Sequence, residues 1–312
     1  MKLKFAFCGT PDFSVPTLEL LHQHPDIDLC MVISMPDRPA GRGMELKSPE
    51  TIEYAKKHKI PYFQTENVNK EEAFLQELEA LKLDGIIVLA FAQFLGSRML
   101  NMGRLGCFNI HTSILPKYRG AAPIQYALLN GDQQTGVSIQ KMVKKMDAGD
   151  LVHFHTLAIQ DNETGGQLYT RLKFQAALAL NDFILKIKEN KVTYTPQDES
   201  QVSFAPTLKK EDGFLDFLNQ DSQSILNRIR ALDPWPGTYC FLNGKRLKVL
   251  KARVYHSTIS AGKMKNDLGS LVVGTLDKTL HLYEVQLEGK KISTDKELLN
   301  GIKGDLELKE KA

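Results

Sequence analysis

The chain has few cysteines, no long apolar run and almost no net charge. Four cysteines occur in 312 residues, Cys8, Cys30, Cys107 and Cys240, and no two form a Cys-x-x-Cys pair. Such wide spacing fits buried free thiols in a reducing compartment, so a cytoplasmic chain is expected. No stretch approaches the roughly 20 apolar residues that span a bilayer, so no membrane partner is expected. The opening MKLKFAFCGTPDF carries a basic flank, but its apolar run is too short for a signal segment. A formal net charge of only +3 rules out nucleic-acid binding by bulk charge; any such partner must meet a local basic surface. Internal repeats, low-complexity tracts and a G-x-G-x-x-G turn are missing too. No serine or cysteine stands in a nucleophile elbow, and His22, His24, His58, His153 and His155 form no metal-ligand pattern with the carboxylates. No metal is expected.

What is present is a regular alternation. Strand-like runs at 3–8, 27–34, 84–91 and 107–110 alternate with helix-like segments at 14–24, 48–58 and 70–82. This predicts an α/β fold with an open, mainly parallel sheet. GVSIQKMV (136–143) and GDLVHFHTLAI (149–159) read as an antiparallel pair, and a long amphipathic helix over 164–189 closes the first domain. Residues 190–206 carry two prolines and no helical period, which predicts a linker. Beyond it come one helix (222–232) and short strands separated by turn signals, the pattern of a small β-barrel. The expected domains are 1–189, a linker at 190–206, and 207–312.

The turn after the first strand, GTPDFS, has a single glycine; a tight turn with Ser14 capping the next helix is expected there rather than dinucleotide binding. CFNIH is more informative. Side chains repeat every two residues along a strand, so Asn109 and His111 share a face at the C-terminal edge of the sheet, where open α/β sheets place their ligands. An amide can donate to a developing oxyanion and an imidazole can move a proton near neutral pH. That pair suits acyl-group chemistry, although a turn-supporting asparagine and a half-buried histidine would look the same. MDAGD adds Asp147 and Asp150 in a loop, either of which could orient the imidazole or relay a proton. With no nucleophile in sight, direct non-covalent transfer is the economical scheme.

GTPDF (9–13), PDRPAGRG (36–43), LGCFNIHTSILPKYRGAAPIQYALLNGD (105–132), TGVSI (135–139), MDAGDL (146–151) and DPWPGTY (233–239) together resemble the methionyl-tRNA formyltransferase family of folate-dependent formyltransferases. The resemblance implies a Rossmann-like catalytic domain followed by an OB-like barrel. It implies transfer of the formyl group of 10-formyltetrahydrofolate to the α-amine of methionyl initiator tRNA for translation initiation, by a monomeric chain. It makes Asn109, His111 and Asp147 the catalytic set, and Ser113, Ile114, Leu115 and Pro116 part of the folate site. LAFAQFLG (89–96), with Phe91, Gln93 and Phe94, would offer rings and backbone amides to a flat pterin; core packing is the alternative for the rings. Initiator tRNA would be met by the loop carrying Arg38, Arg42 and Lys47, with Arg42 as the main reader. It would also be met by the basic strip that begins with Lys245, Arg246 and Lys248. The chain departs from the family at Phe204-Ala205-Pro206-Thr207, where a lysine is usual at the last position; Lys209 or Lys210 would take its place. A formyltetrahydrofolate hydrolase, a formyltransferase for a nucleotide or sugar amine, and a catalytically silent RNA binder remain as rivals.

Overall fold

A computed structural model describes residues 2–40, 44–302 and 304–309. Its strands are β1 (Leu3–Gly9), β2 (Ile27–Ser34), β3 (Arg38–Ala40), β4 (Glu45–Lys47), β5 (Tyr62–Gln64), β6 (Gly85–Leu89), β7 (Gly106–His111), β8 (Arg119–Gly120), β9 (Gln134–Lys141), β10 (Leu151–Ala158), β11 (Phe204–Ala205), β12 (Thr238–Leu242), β13 (Lys245–Tyr255), β14 (Met264–Asp267), β15 (Ser270–Gly274), β16 (Thr279–Leu287) and β17 (Ser293–Thr294). Its α-helices are α1 (Val15–Gln23), α2 (Glu50–His58), α3 (Glu72–Ala80), α4 (Ser97–Leu100), α5 (Pro123–Leu129), α6 (Gly165–Lys188), α7 (Ser222–Ala231) and α8 (Asp295–Asn300).

The main sheet runs β10-β9-β7-β6-β1-β2-β5. β1, β2, β5, β6 and β7 are mutually parallel, and β9 runs antiparallel to β7. Strands buried on both faces need continuous apolar sequence, and β6 (GIIVL) is buried throughout. On one face Ala6, Cys8, Ile33, Ile86, Val88 and Cys107 pack with Phe74, Leu75 and Leu78 of α3, whose spacing of one and three residues marks one helix face. On the other, Phe108 meets Phe183 of α6 edge to face, with ring centroids 4.8 Å apart. Each such fully buried apolar side chain contributes roughly 1.5–3 kcal/mol. The order reverses between β1 and β6, because the chain first builds outward to β5 and then returns to the other side of β1. The C-terminal ends of β1 and β6 therefore flank the crevice where such sheets bind ligands, and β7 ends beside β6.

Two expectations are corrected, and one helix had not been read. Arg38–Ala40 pairs with Glu45–Lys47 as a short antiparallel ladder where no strand was expected. Ser14 occupies the position before α1, but its hydroxyl donates to Leu89 O at 2.7 Å instead of capping the helix. PIQYALL, read only as part of a motif, is the helix α5.

The chain packs as two units. The first comprises 1–120, 135–158 and 169–205; the second comprises 121–134, 159–168 and 206–312. In the second, β12-β13-β16-β15-β14 form an antiparallel sheet with β17 on β16. Alternate residues, among them Cys240, Leu242, Leu247, Val249, Val273, Leu280 and Leu282, point into one core shared with Ile225 and Ile229 of α7. Asp221 starts α7 by accepting from Ser224 N at 2.8 Å. No helix among the described residues is long and apolar enough to cross a membrane.

Candidate active site

β7 delivers Asn109 and His111 to its C-terminal end on one face, and the β9–β10 loop brings Asp147 to meet them. Asp147 Oδ1 accepts from Asn109 Nδ2 at 3.3 Å and from Gln140 Nε2 at 3.0 Å. Its Oδ2 accepts from Gly120 N at 2.9 Å and lies 3.7 Å from His111 Nδ1. The imidazole is nearly buried, and its Nε2 donates to Tyr118 O at 2.8 Å, because a carbonyl can only accept. Nδ1 is the other ring nitrogen, and it faces the carboxylate. Both ring nitrogens are thus directed at protein groups.

The loop geometry has local causes. Asp147 sits at φ 50°, a left-handed conformation that aspartate tolerates better than most residues. Gly149 passes so close to the β9 end that a Cβ there would overlap Lys141 O, at 1.7 Å. Gly120, at φ 123°, would place a Cβ 2.6 Å from Ala205 O. Both glycines are required by close backbone approach. Asp150, the alternative acid, contributes its backbone carbonyl to Lys141 N at 2.9 Å, part of the ladder that joins β9 to β10.

The expected folate residues divide by what they touch. Ser113 is fully buried and its hydroxyl donates to Lys117 O at 2.6 Å, so it shapes the turn. Ser138 Oγ receives Leu115 N and donates to Ser113 O, locking the same turn to β9. Leu115 is buried, while Ile114 and Pro116 are half-buried at the edge. Of the two readings of Phe91, the ring follows core packing: at 2% exposure it is not offered for stacking. Phe94, by contrast, is 75% exposed. The Gln93 amide is spent within the protein, accepting from Val68 N at 2.8 Å and donating to Thr65 O at 2.7 Å and to Met35 Sδ at 3.1 Å. With Asn69, which donates to Phe94 O and accepts from Gly96 N, it staples the loop after β6 in place. A surface hollow lined by Glu79, Asp84, Arg98 and Arg104 lies at the opposite, N-terminal ends of β6 and β7, away from this chemistry.

Of the expected tRNA contacts, Arg42 lies outside the described residues. Arg38 pairs with Glu66 at 2.8 Å and Lys47 with Glu50 at 2.7 Å, both in solvent, where such pairs are worth about 0–1 kcal/mol and exchange readily. Lys209, Lys210, Lys245 and Lys248 are exposed. Arg246 stacks over the Tyr239 ring at 3.7 Å, and Arg246 and Lys248 share the outer face of β13 beside Tyr239 and Phe241 of β12. Lys245 has the other parity and stands at the end of the strand. Sequence reasoning missed Tyr239 and Phe241, although their alternation with Cys240 and Leu242 was the signal.

Contrary to the expectation for the histidines, His153 and His155 do approach a carboxylate: with Asp182 they offer ligand atoms within 4.8 Å of one another. Lys186 Nζ donates to His153 Nδ1 at 2.9 Å, which places a positive charge inside the group and opposes a divalent cation. Burial first, and Lys186 second, hold the His153 imidazole down at about 4, so it stays neutral near pH 7.

The sequence relationships agree with this geometry. The family model "Formyl transferase" matches residues 1–184, and "Formyl transferase, C-terminal domain" matches 207–303. The methionyl-tRNA formyltransferase of Natranaerobius thermophilus is 36% identical over 98% of this chain and 100% of its own. That of Thermotoga maritima is 38% identical over 96% and 95%. An N-formyltransferase from Helicobacter canadensis, solved with folinic acid and dTDP-3-aminofucose, superposes with a TM-score of 0.67 at 19% identity, covering 90% of this chain and 98% of its own. At that identity the likeness speaks for the fold alone. With both halves matched and relatives of this similarity aligned from end to end, the chain belongs to the methionyl-tRNA formyltransferase family.

Proposed function

We propose that the protein transfers the formyl group of 10-formyltetrahydrofolate to the α-amine of methionyl initiator tRNA, with Asn109, His111 and Asp147 as the catalytic set. The observation that carries this reading is the Asp147 carboxylate, which takes one hydrogen of the Asn109 amide while facing His111 Nδ1 at 3.7 Å. The amine nitrogen adds to the formyl carbon, the carbonyl oxygen becomes an oxyanion, and the C–N10 bond breaks as N10 takes up a proton. The second hydrogen of Asn109 Nδ2 meets the oxyanion, and the imidazolium of His111 lends it positive charge. Asp147 holds the imidazole and helps move the proton lost by the amine to N10. Ile114, Pro116 and the stapled loop at 90–96 form the folate edge. The first 189 residues carry the catalytic groups and residues 207–312 hold the tRNA, with 190–206 running between them and packed largely with the first unit; the protein works in the cytoplasm as a monomer and without a metal.

A hydrolase or a sugar-amine formyltransferase could use the same three residues, so the acceptor decides. Given labelled formyl-folate, the protein is expected to formylate methionyl initiator tRNA far faster than free methionine or an amino sugar. Equal rates on all three, or release of free formate alone, would remove the tRNA from this reading.

The outer face of β12 and β13 combines rings with cations, a surface on which nucleic acid can stack while its phosphates are neutralised. Neutralising Lys245, Arg246 and Lys248 together is expected to flatten the log–log salt dependence of tRNA binding by about 2–3 units while folate affinity holds. An unchanged slope would move the tRNA to another face.

A further inference from the structure

Residues 195–205, which read as a linker, lace the active-site loop to the turn beyond β7. Leu151 and Thr195 exchange both backbone hydrogen bonds, at 2.8 and 2.9 Å. β11 runs parallel to β8, and Ser203 receives Arg119 N on its carbonyl and Tyr118 N on its hydroxyl. At the centre is Gln197. Its Nε2 donates to Asp147 O at 2.9 Å and to Gly149 O at 2.8 Å, one hydrogen to each end of the Asp-Ala-Gly turn. Its Oε1 accepts from Arg119 Nε at 3.1 Å and Nη2 at 2.8 Å. Arg119 is 1% exposed, and its Nη2 also holds Glu199, whose second oxygen takes Lys145 of the same loop. Arg119 first, then Lys145, keep the Glu199 carboxyl down at about 2.

We propose that Gln197, oriented by Arg119, is a positioning residue that holds Asp147 in its left-handed conformation against His111. The amide cannot turn over, because its NH2 would then meet the guanidinium. Gln140 clamps the same turn from β9, donating to Asp147 Oδ1 and accepting from Gly149 N at 3.0 Å. A left-handed non-glycine residue persists only where its surroundings over-determine it, and these two glutamines supply that restraint. Gln197 does not touch the carboxylate. It acts on the backbone that aims it.

This inference rests on the reading of Asp147 as the catalytic carboxylate. Gln197→Met keeps the length and removes the hydrogen bonds. It is expected to lower kcat by ~10–10²-fold, the scale of an ångström-sized misplacement, with the KM for folate unchanged. Because the effect runs through Asp147, it should vanish when Gln197→Met is added to Asp147→Asn. Gln197→Glu leaves Arg119 partnered but turns acceptors towards Asp147 O and Gly149 O; it should lose kcat similarly, and it serves if the methionine variant does not fold. Unchanged kcat with a lowered melting temperature, or equal losses in both backgrounds, would overturn the positioning role. Normal turnover by Asp147→Asn alone would instead overturn the catalytic reading and the inference together.

Discussion

Asp147→Asn is expected to lose at least ~10²-fold in turnover while still binding folate. The four groups around the carboxylate explain why. Oδ1 receives the amides of Asn109 and Gln140, and Oδ2 receives Gly120 N. Whichever oxygen becomes an NH2, a donor then meets a donor, at about 1–3 kcal/mol for a buried group left unsatisfied. Turned towards His111, the new amide would also donate to Nδ1 and hold the imidazole neutral. Proton movement would stop, and the positive charge offered to the oxyanion would be lost. Single-turnover formylation with folate saturating is the measurement. Near-normal turnover would take Asp147 out of the mechanism.

Asn109→Ala should cost ~10²–10³-fold in kcat, the usual loss when one oxyanion donor is removed, with little change in folding. The asymmetry comes from Gln140. Asp147 Oδ1 keeps that stronger partner at 3.0 Å after the 3.3 Å contact with Asn109 is gone, so the carboxylate stays aimed. A kcat close to the parent's, measured with both substrates saturating, would show that Asn109 supports the turn and does no chemistry.

Much of the frame could be read from the chain because periodicity reports burial. The apolar run IDLCMVIS is β2 from end to end, and the shared face of Asn109 and His111 follows from strand alternation alone. The short ladder of β3 and β4 could not be read this way, since three-residue strands carry no period and their segment is rich in proline and glycine. Phe91 stayed open for a related reason, because an aromatic in an apolar run looks the same whether it packs inward or faces a ligand. The positioning network was invisible as a network, because Gln197 and Glu199 reach residues some 50 to 80 positions away. Two members left a trace. Gln140 is a buried polar residue of β9, next to Ile139, and Arg119 is a buried arginine followed by Gly-Ala-Ala, so burial forces both to find partners.

The two packing units do not coincide with two lengths of chain. Residues 121–134 and 159–168 leave the first unit, join the second and return before the final crossing at 206. Within the second unit, α5 packs on α7, with Ile124, Ala127 and Leu128 buried. A recombination event that exchanged genes at the codons for 190–206 would inherit α7 from one parent and α5 from the other, and their meeting surfaces would have to match. The two halves of the chain are therefore matched to each other at this surface.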